Sequence, residues 1–341
     1  MLTTLNMQSN VPLAPHTTLG VGGSAKLFVE VRSVEELASA IGYAKEHGEP
    51  FIVFGGGTNL LVSDAGYDGL VIKMSIEGIQ VIDQNEETVV VKVGAGVNFD
   101  SFVEYTVEKG WWGLENLSSI PGTVGATPVQ NVGAYGAEIA QVLVSVEVYD
   151  TDSDNIVTLS NTECHFGYRT SIFKAKPLRY IITSVTFSLL LKASPQCTYA
   201  DLAKRFEGEA SPSLQAIREA VQEIRSQKFP DWTVIGTAGS FFKNPIVPKS
   251  AVTALLEKYP ELPYYKEAGE MVKLPLGHIL DKICGLKGYK KGKVGLYERQ
   301  ALVLVVEKGA SAGEVIDFAE EIVQKVFTAT GITIEREVTL L

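Results

Sequence analysis

Apolar positions recur along this chain with two periods, and the switches between them outline the elements. Residues 26–31 read as a strand. Ser33-Val34-Glu35-Glu36 is a capping box, with the Ser33 side chain accepting an early N–H and Glu36 reaching back. Val34, Leu37, Ile41 and Ala44 then follow helical spacing until Gly48 stops the helix. The apolar run Phe51–Phe54 is a short buried strand, and it leads into Gly55-Gly56-Gly57-Thr58-Asn59. Residues 70–73 form the next strand, and 79–82 and 88–93 read as a pair. Asn98 caps a helix carrying Phe99, Phe102, Val103 and Val107 that ends at Gly110.

Beyond this, residues 111–135 read as loop, and long loops in compact domains are usually functional. Residues 144–149, 156–159 and 179–191 supply further strands. A boundary falls at 192–212, where Pro, Ser, Gly and Glu cluster. Leu214, Ile217, Val221 and Ile224 then mark an amphipathic helix. Later helices are expected at 250–258, 276–284 and 314–328, the last opened by a second capping box from Ser311 to Glu314, with strands at 301–306 and 332–338 beside it.

Two loops are rich in glycine. One is Phe54–Asn59; the other runs from Ile120 to Gly136 with four glycines, two prolines and no charge. Without a Cβ, such segments lay backbone N–H groups against a flat or anionic ligand. Two of them suggest a large cofactor held along its length. Neither is a Rossmann turn: Leu60 to Asp64 runs straight into Ala65-Gly66-Tyr67-Asp68-Gly69 and a strand, leaving no room for the required helix. Gly-Lys-[Ser/Thr] is also missing, so a phosphate here would rest on amides alone.

Composition narrows the class. The chain has 341 residues, 45% hydrophobic and 21% charged, enough for two or three domains of a soluble protein. A net charge of −10 argues against nucleic-acid or acidic-membrane partners. Cys164, Cys197 and Cys284 are odd in number and widely spaced, as expected of free thiols in a reducing cytoplasm. No signal peptide and no bilayer-spanning apolar run is read from the sequence. The few histidines have no ligand-type spacing, and no metal site is expected.

Four segments hold candidate chemistry: Arg169 within Phe166–Lys174, Ser240 within Gly236–Pro245, Glu335 and Glu337 in the C-terminal stretch, and Tyr199 in the boundary region. Each has a plainer alternative. Arg169 could be a structural ion pair, Ser240 a turn residue, the two glutamates the outer face of an edge strand, and Tyr199 a rim aromatic. Ser240 is no hydrolase nucleophile, because Phe242 stands where Gly-x-Ser-x-Gly requires glycine. The basic run from Lys287 to Lys293 reads as a solvated loop.

Taken in order, Gly55-Gly56-Gly57-Thr58-Asn59, Glu115-Asn116-Leu117, the 120–136 loop, Cys164-His165-Phe166-Gly167-Tyr168-Arg169-Thr170-Ser171, Ala238-Gly239-Ser240-Phe241-Phe242-Lys243-Asn244-Pro245 and Glu335-Arg336-Glu337-Val338 resemble the UDP-N-acetylenolpyruvoylglucosamine reductase (MurB) family across residues 15–338. Tyr199 and the length point to its type I form. The resemblance implies an α+β fold: an FAD-binding domain of the vanillyl-alcohol-oxidase (PCMH) kind in two subdomains, residues 1–69 and 70–205, then a substrate-binding α/β domain, residues 206–341, whose last strand returns Glu335 to the flavin. It implies FAD on Gly55, Gly56, Gly57, Thr58 and Asn59, with Pro121, Gly122, Ala126, Thr127, Gln130 and Gly133 along the rest. No histidine lies between His47 and His165 and no cysteine before Cys164, so neither loop offers a covalent attachment point.

The implied activity is NADPH-dependent reduction of UDP-N-acetylglucosamine enolpyruvate to UDP-N-acetylmuramate in peptidoglycan synthesis, by a cytoplasmic monomer. Hydride from flavin N5 would add to C3. By resemblance Arg169 stabilises the enolate, Ser240 protonates C2 and Glu335 supports the enol as a carboxylic acid. Tyr135, Tyr199, Lys228, Lys243, Asn244 and Gln300 would bind substrate. One departure stands out: Arg336 replaces the proline expected between the two glutamates, leaving open whether Glu335 or Glu337 faces the flavin. Other readings are an FAD-dependent alcohol or sugar oxidase and a catalytically inactive nucleotide-sugar sensor.

Overall fold

A computed structural model describes residues 5–209 and 211–341. It has an α+β architecture divided into two compact units, one built from the segments through Val11, Ala25–Gly56 and Asp68–Arg225, the other from Pro12–Ser24, Gly57–Tyr67 and Ser226–Leu341.

The first unit centres on two sheets. One orders its strands Gln8–Pro12, Ser24–Val31, Tyr67–Met74 and Phe51–Phe54, the last two parallel with Phe51 opposite Leu70. The other is antiparallel, in the order Asn155–Ser160, Leu143–Asp150, Tyr180–Leu190, Thr88–Gly94 and Ile79–Gln84. The helix Val34–His47 begins as its sequence dictates. Ser33 accepts the Glu36 N–H at 3.2 Å, and Gly48 closes it in the left-handed region at φ 66°. The Glu36 carboxylate reaches back to the Arg32 N–H instead of that of Ser33, so the expected box is shifted by one residue. Asn98 caps the helix Phe99–Glu108 by accepting the Ser101 N–H at 3.0 Å. Leu37, Ile41, Ile72, Phe99, Phe102, Val185 and Phe187 belong to one buried core. Of the two expected subdomains, residues 1–69 and 70–205, the stretch 25–56 shares this interior with the second, whereas Leu19, Val21 and Leu61 pack into the other unit's core.

A smaller cluster in the same unit joins Trp112, Tyr135, Leu202 and Phe206 to Leu214, Ile217 and Val221 of the helix Leu214–Lys228. This packing moves the division from the expected 205/206 to 225/226. The boundary composition at 192–212 marks a connector, and the helix after it is still bound to the first unit's core.

The second unit holds an antiparallel sheet ordered Gly236–Ser240, Val303–Val306, Val294–Leu296 and Lys290–Lys291. The helix Ala312–Thr330 buries Val315, Phe318, Ile322 and Val326 in that unit's core. Its N-terminus carries the full capping box between Ser311 and Glu314, and the Asp64 carboxylate accepts the Ala312 and Gly313 N–H groups at 2.8 and 2.9 Å.

Two expectations need correction. Residues 332–338 do not form a strand: they make a single bridge, Arg336 to Phe242, and the ladder begins only where Thr339–Leu340 pairs in parallel with Leu60–Leu61. The expected helix 276–284 is one α turn, Leu276–His278, continued by a π turn, Ile279–Ile283. Among the described residues no helix is long and apolar enough to cross a membrane, and no group of three or more His, Cys, Asp or Glu side chains could hold a metal ion.

Candidate active site

In the first unit, the 120–136 loop is pinned before it presents anything. Val124 and Gly125 donate their N–H groups to Val97 and Ala95 at 2.9 Å, and the Gly122 carbonyl accepts from Phe99 at 3.0 Å. The Thr127 hydroxyl, 3% exposed, turns inward to the Val124 carbonyl at 2.8 Å, so Thr127 contributes shape and backbone to the loop surface. Gly55 lies so close that a Cβ there would sit 2.6 Å from the Thr123 hydroxyl and 3.5 Å from the Ala126 methyl. The two glycine-bearing segments Gly55 and Thr123–Ala126 thus abut, as a continuous ligand bed requires.

The Phe166–Lys174 segment is stitched to the same loop by three hydrogen bonds. Asn131 Nδ2 donates to the Gly167 carbonyl at 3.3 Å, Arg169 Nη2 to the Gly133 carbonyl at 3.2 Å, and Ser171 Oγ to the Val129 carbonyl at 2.6 Å. Arg169 has φ 54°, and its guanidinium lies 5.6 Å from the Tyr168 ring centroid. Holding a non-glycine residue in the left-handed region costs free energy, and the three clamps supply it. Asn131 (3% exposed, φ 46°) and Ser171 (2% exposed) were not singled out from the sequence. Asn131 could have been found, since Asn is the non-glycine residue that most readily takes positive φ. Gln130 is half-buried beside it. Tyr135 and Tyr199 meet edge to face, with ring centroids 5.3 Å apart.

In the second unit, Gly57 has φ 63° and its carbonyl accepts the Thr18 N–H at 3.1 Å. Among the described residues, the consecutive amides of Gly56, Gly57 and Thr58 donate to no backbone carbonyl. Consecutive unspent N–H donors on a turn without acidic side chains form the donor set that a diphosphate needs, and this fits FAD. Asn59 is drawn to the C-terminus. Its side-chain amide donates to the Glu337 carbonyl at 3.2 Å, and its own carbonyl accepts the Thr339 N–H at 3.0 Å.

Ser240 ends its strand after a kink at Gly239, φ 71°, and a register shift against Val303–Val306. The next residue is fixed on both sides: Phe241 N–H donates to Leu302 at 3.0 Å, and its carbonyl accepts Glu337 N–H at 2.8 Å. The same bridge brings the two glutamates into different surroundings. Glu335 has a side chain 73% exposed, ion-paired with Lys243 Nζ at 2.9 Å. Glu337 is half-buried, its backbone held between Phe241 and Asn59. The two side chains thus differ in exposure. Asn244 Oδ1 accepts the Leu276 N–H at 2.9 Å, and Gln300 Oε1 packs on Gly277, where a Cβ would lie 3.0 Å away. Asn244 and Gln300 therefore converge on the turn Leu276–His278. Lys228 is the last residue of its helix.

Comparison with known proteins agrees with these features. Residues 25–160 match the FAD binding domain family, and residues 230–341 match the family described as UDP-N-acetylenolpyruvoylglucosamine reductase, C-terminal domain. The chain is 40% identical over 342 residues to the UDP-N-acetylenolpyruvoylglucosamine reductase of Chromobacterium violaceum, covering 99% of this chain and 100% of the relative. It is 41% identical to that of Polynucleobacter asymbioticus, covering 97% and 96%. The crystal structure of UDP-N-acetylenolpyruvylglucosamine reductase (MurB) from Thermus caldophilus superposes with a TM-score of 0.70 at 26% identity, covering 99% of both chains. The chain belongs to the UDP-N-acetylenolpyruvoylglucosamine reductase family.

Proposed function

We infer that this chain reduces UDP-N-acetylglucosamine enolpyruvate to UDP-N-acetylmuramate, with NADPH as hydride donor and FAD as its non-covalent cofactor. The observation that carries this is the whole-length relationship, which takes in the flavin domain and the C-terminal domain together. Bound FAD supplies the two-electron carrier between NADPH and the enolpyruvyl double bond. Gly55, Gly56, Gly57, Thr58 and Asn59 would hold its diphosphate, and Pro121, Gly122, Ala126, Thr127, Gln130 and Gly133 the remainder.

The residues divide the other work. Hydride addition at C3 drives negative charge onto C2 and the adjacent carboxylate, and a fixed cation lowers that barrier. Arg169 suits this role, because its backbone is clamped and its guanidinium is oriented by Gly133. Ser240 would deliver the proton to C2; the hydrogen bonds on either side of Phe241 fix the backbone that carries its hydroxyl. The third group is better assigned to Glu337 than to Glu335. Glu335 is drawn out into an ion pair with Lys243 and lies largely in water, whereas Glu337 is half-buried on a backbone anchored to both Asn59 and Phe241. Tyr135, Tyr199, Lys228, Asn244 and Gln300 remain the substrate contacts, with Lys243 engaged by Glu335. A cytoplasmic, monomeric enzyme is the form proposed.

Stopped-flow flavin absorbance tests the reading. NADPH should bleach the flavin of the purified holoenzyme, and UDP-N-acetylglucosamine enolpyruvate should restore it without oxygen. Restoration by oxygen alone, with no response to the enolpyruvyl ether, would favour the oxidase reading and end this one.

A further inference from the structure

The helix Leu214–Lys228 carries two arginines seven residues apart, on one helical face. Arg218, 4% exposed, is bound by Asp100 at 2.7 and 3.3 Å and approached by Glu104 at 3.4 Å. Arg225 serves a different purpose. Its Nε donates to the Ser119 carbonyl at 3.2 Å, and its guanidinium hydrogen-bonds the Tyr135 phenol. Tyr135 is 7% exposed, and burial pushes its phenol up to about 12, so it faces the arginine as a neutral hydroxyl. Its φ of 50° leaves the backbone dependent on such ties.

The other end of Tyr135 is held by Asn116, 2% exposed. Asn116 Nδ2 donates to the Tyr135 carbonyl at 2.8 Å and to the Gln196 carbonyl at 2.7 Å. The reverse amide orientation would set an oxygen against two carbonyls, so the donor assignment follows from chemistry. Gln196 lies three residues before Tyr199, whose ring rests edge-on against Tyr135. One tyrosine is thus gripped at its carbonyl and at its hydroxyl, and it forms the wall on which the second leans.

We infer that Arg225 and Asn116 are positioning residues for substrate capture, setting Tyr135 and, through its ring and the Gln196 carbonyl, the hydroxyl of Tyr199. The inference rests on the reading in which Tyr199 binds substrate. Neither positioning residue needs to touch substrate. Their effect is on how often Tyr199 stands ready, which enters KM before kcat.

The test compares holoenzymes of Arg225→Met, Asn116→Asp, Tyr199→Ala and the double variant Arg225→Met/Tyr199→Ala. Losing the guanidinium bond in Arg225→Met, or the two amide donors in Asn116→Asp, should raise KM for the enolpyruvyl substrate roughly tenfold. Flavin content and the rate of flavin reduction at saturating NADPH should stay unchanged. In the Tyr199→Ala background Arg225→Met should add nothing. Asn116→Asp is isosteric and keeps the test open where removing a guanidinium weakens folding. The inference is overturned if both positioning variants keep the parental KM while Tyr199→Ala raises it. Equal losses in both half-reactions, with or without Tyr199, would also overturn it by showing a general structural role. An unchanged KM in Tyr199→Ala itself would instead remove the substrate role of Tyr199, and the inference with it.

Discussion

Replacing Gly57 with alanine isolates the glycine-rich turn as the flavin support. A Cβ at Gly57 would lie 1.9 Å from the His16 carbonyl oxygen and 3.0 Å from Thr17 Cα, contacts with main chain that cannot rotate away. The left-handed backbone at φ 63° costs an alanine about 1 kcal/mol, and opening the contact costs a further 1–3 kcal/mol or so. The loop has to shift by about an ångström, enough to strain the Thr18 N–H to Gly57 bond and to misalign the amides of Gly56 and Thr58. Losing two hydrogen bonds to a charged diphosphate should weaken FAD binding by roughly 100-fold. Gly48→Ala is the control, since it has φ 66° but nothing within 4 Å of the added Cβ. It should cost only the backbone term, about 1 kcal/mol, and leave flavin affinity alone. Fluorescence titration of apoprotein with FAD, alongside thermal melts of both variants, reads the two effects separately. Parental FAD affinity in Gly57→Ala would refute the assignment of this turn.

Three further outcomes are expected. Glu115 is 1% exposed, and burial raises its carboxyl above the usual carboxylate range. A raised folded-state value means stability is greatest below the unfolded pKa and falls as pH rises through the folded one. Glu115→Gln should therefore be stabilising relative to the parent at pH 8 and less so at pH 5, as read by urea midpoints; an equal effect at both would contradict the sign. Asp64→Ala removes the acceptor for two N–H groups at the start of Ala312–Thr330 and should lower stability by about 1–2 kcal/mol in a calorimetric melt. Glu337→Gln should slow flavin re-oxidation by substrate on the order of 10²-fold, whereas Glu335→Gln should leave it within severalfold, and the reverse order would return the support of the enol to Glu335.

Much of the fold was legible because its signals are local. Ser33 and Gly48 bracket one helix, Asn98 opens another, Ser311 and Glu314 open a third, and the chain after Asn59 lacks room for a Rossmann helix. The glycine-rich loops were equally visible, because close backbone approach leaves a compositional trace. What escaped depends on partners distant in sequence. Alternation at 332–338 looked like a strand, yet an extended segment becomes one only when a neighbour supplies the ladder, and here that neighbour closes a single bridge, Phe242 to Arg336. The different surroundings of Glu335 and Glu337 follow from Lys243 and Asn59, which no local pattern links to them. Arg218 and Arg225 look from sequence like solvated positions of an amphipathic helix. Their hydrogen bonds to Asp100 and Ser119 join the apolar packing of Leu214, Ile217 and Val221 in tying that helix to the first unit.

The most direct measurement is the pair of half-reactions of Ser240→Ala, followed by stopped-flow absorbance of the bound flavin. NADPH should bleach the flavin at the parental rate, while re-oxidation by UDP-N-acetylglucosamine enolpyruvate should fall by at least about 10²-fold, as expected when a site loses its proton donor. Re-oxidation at the parental rate would contradict protonation by Ser240 and leave it as the turn residue that its glycine-flanked sequence also allows.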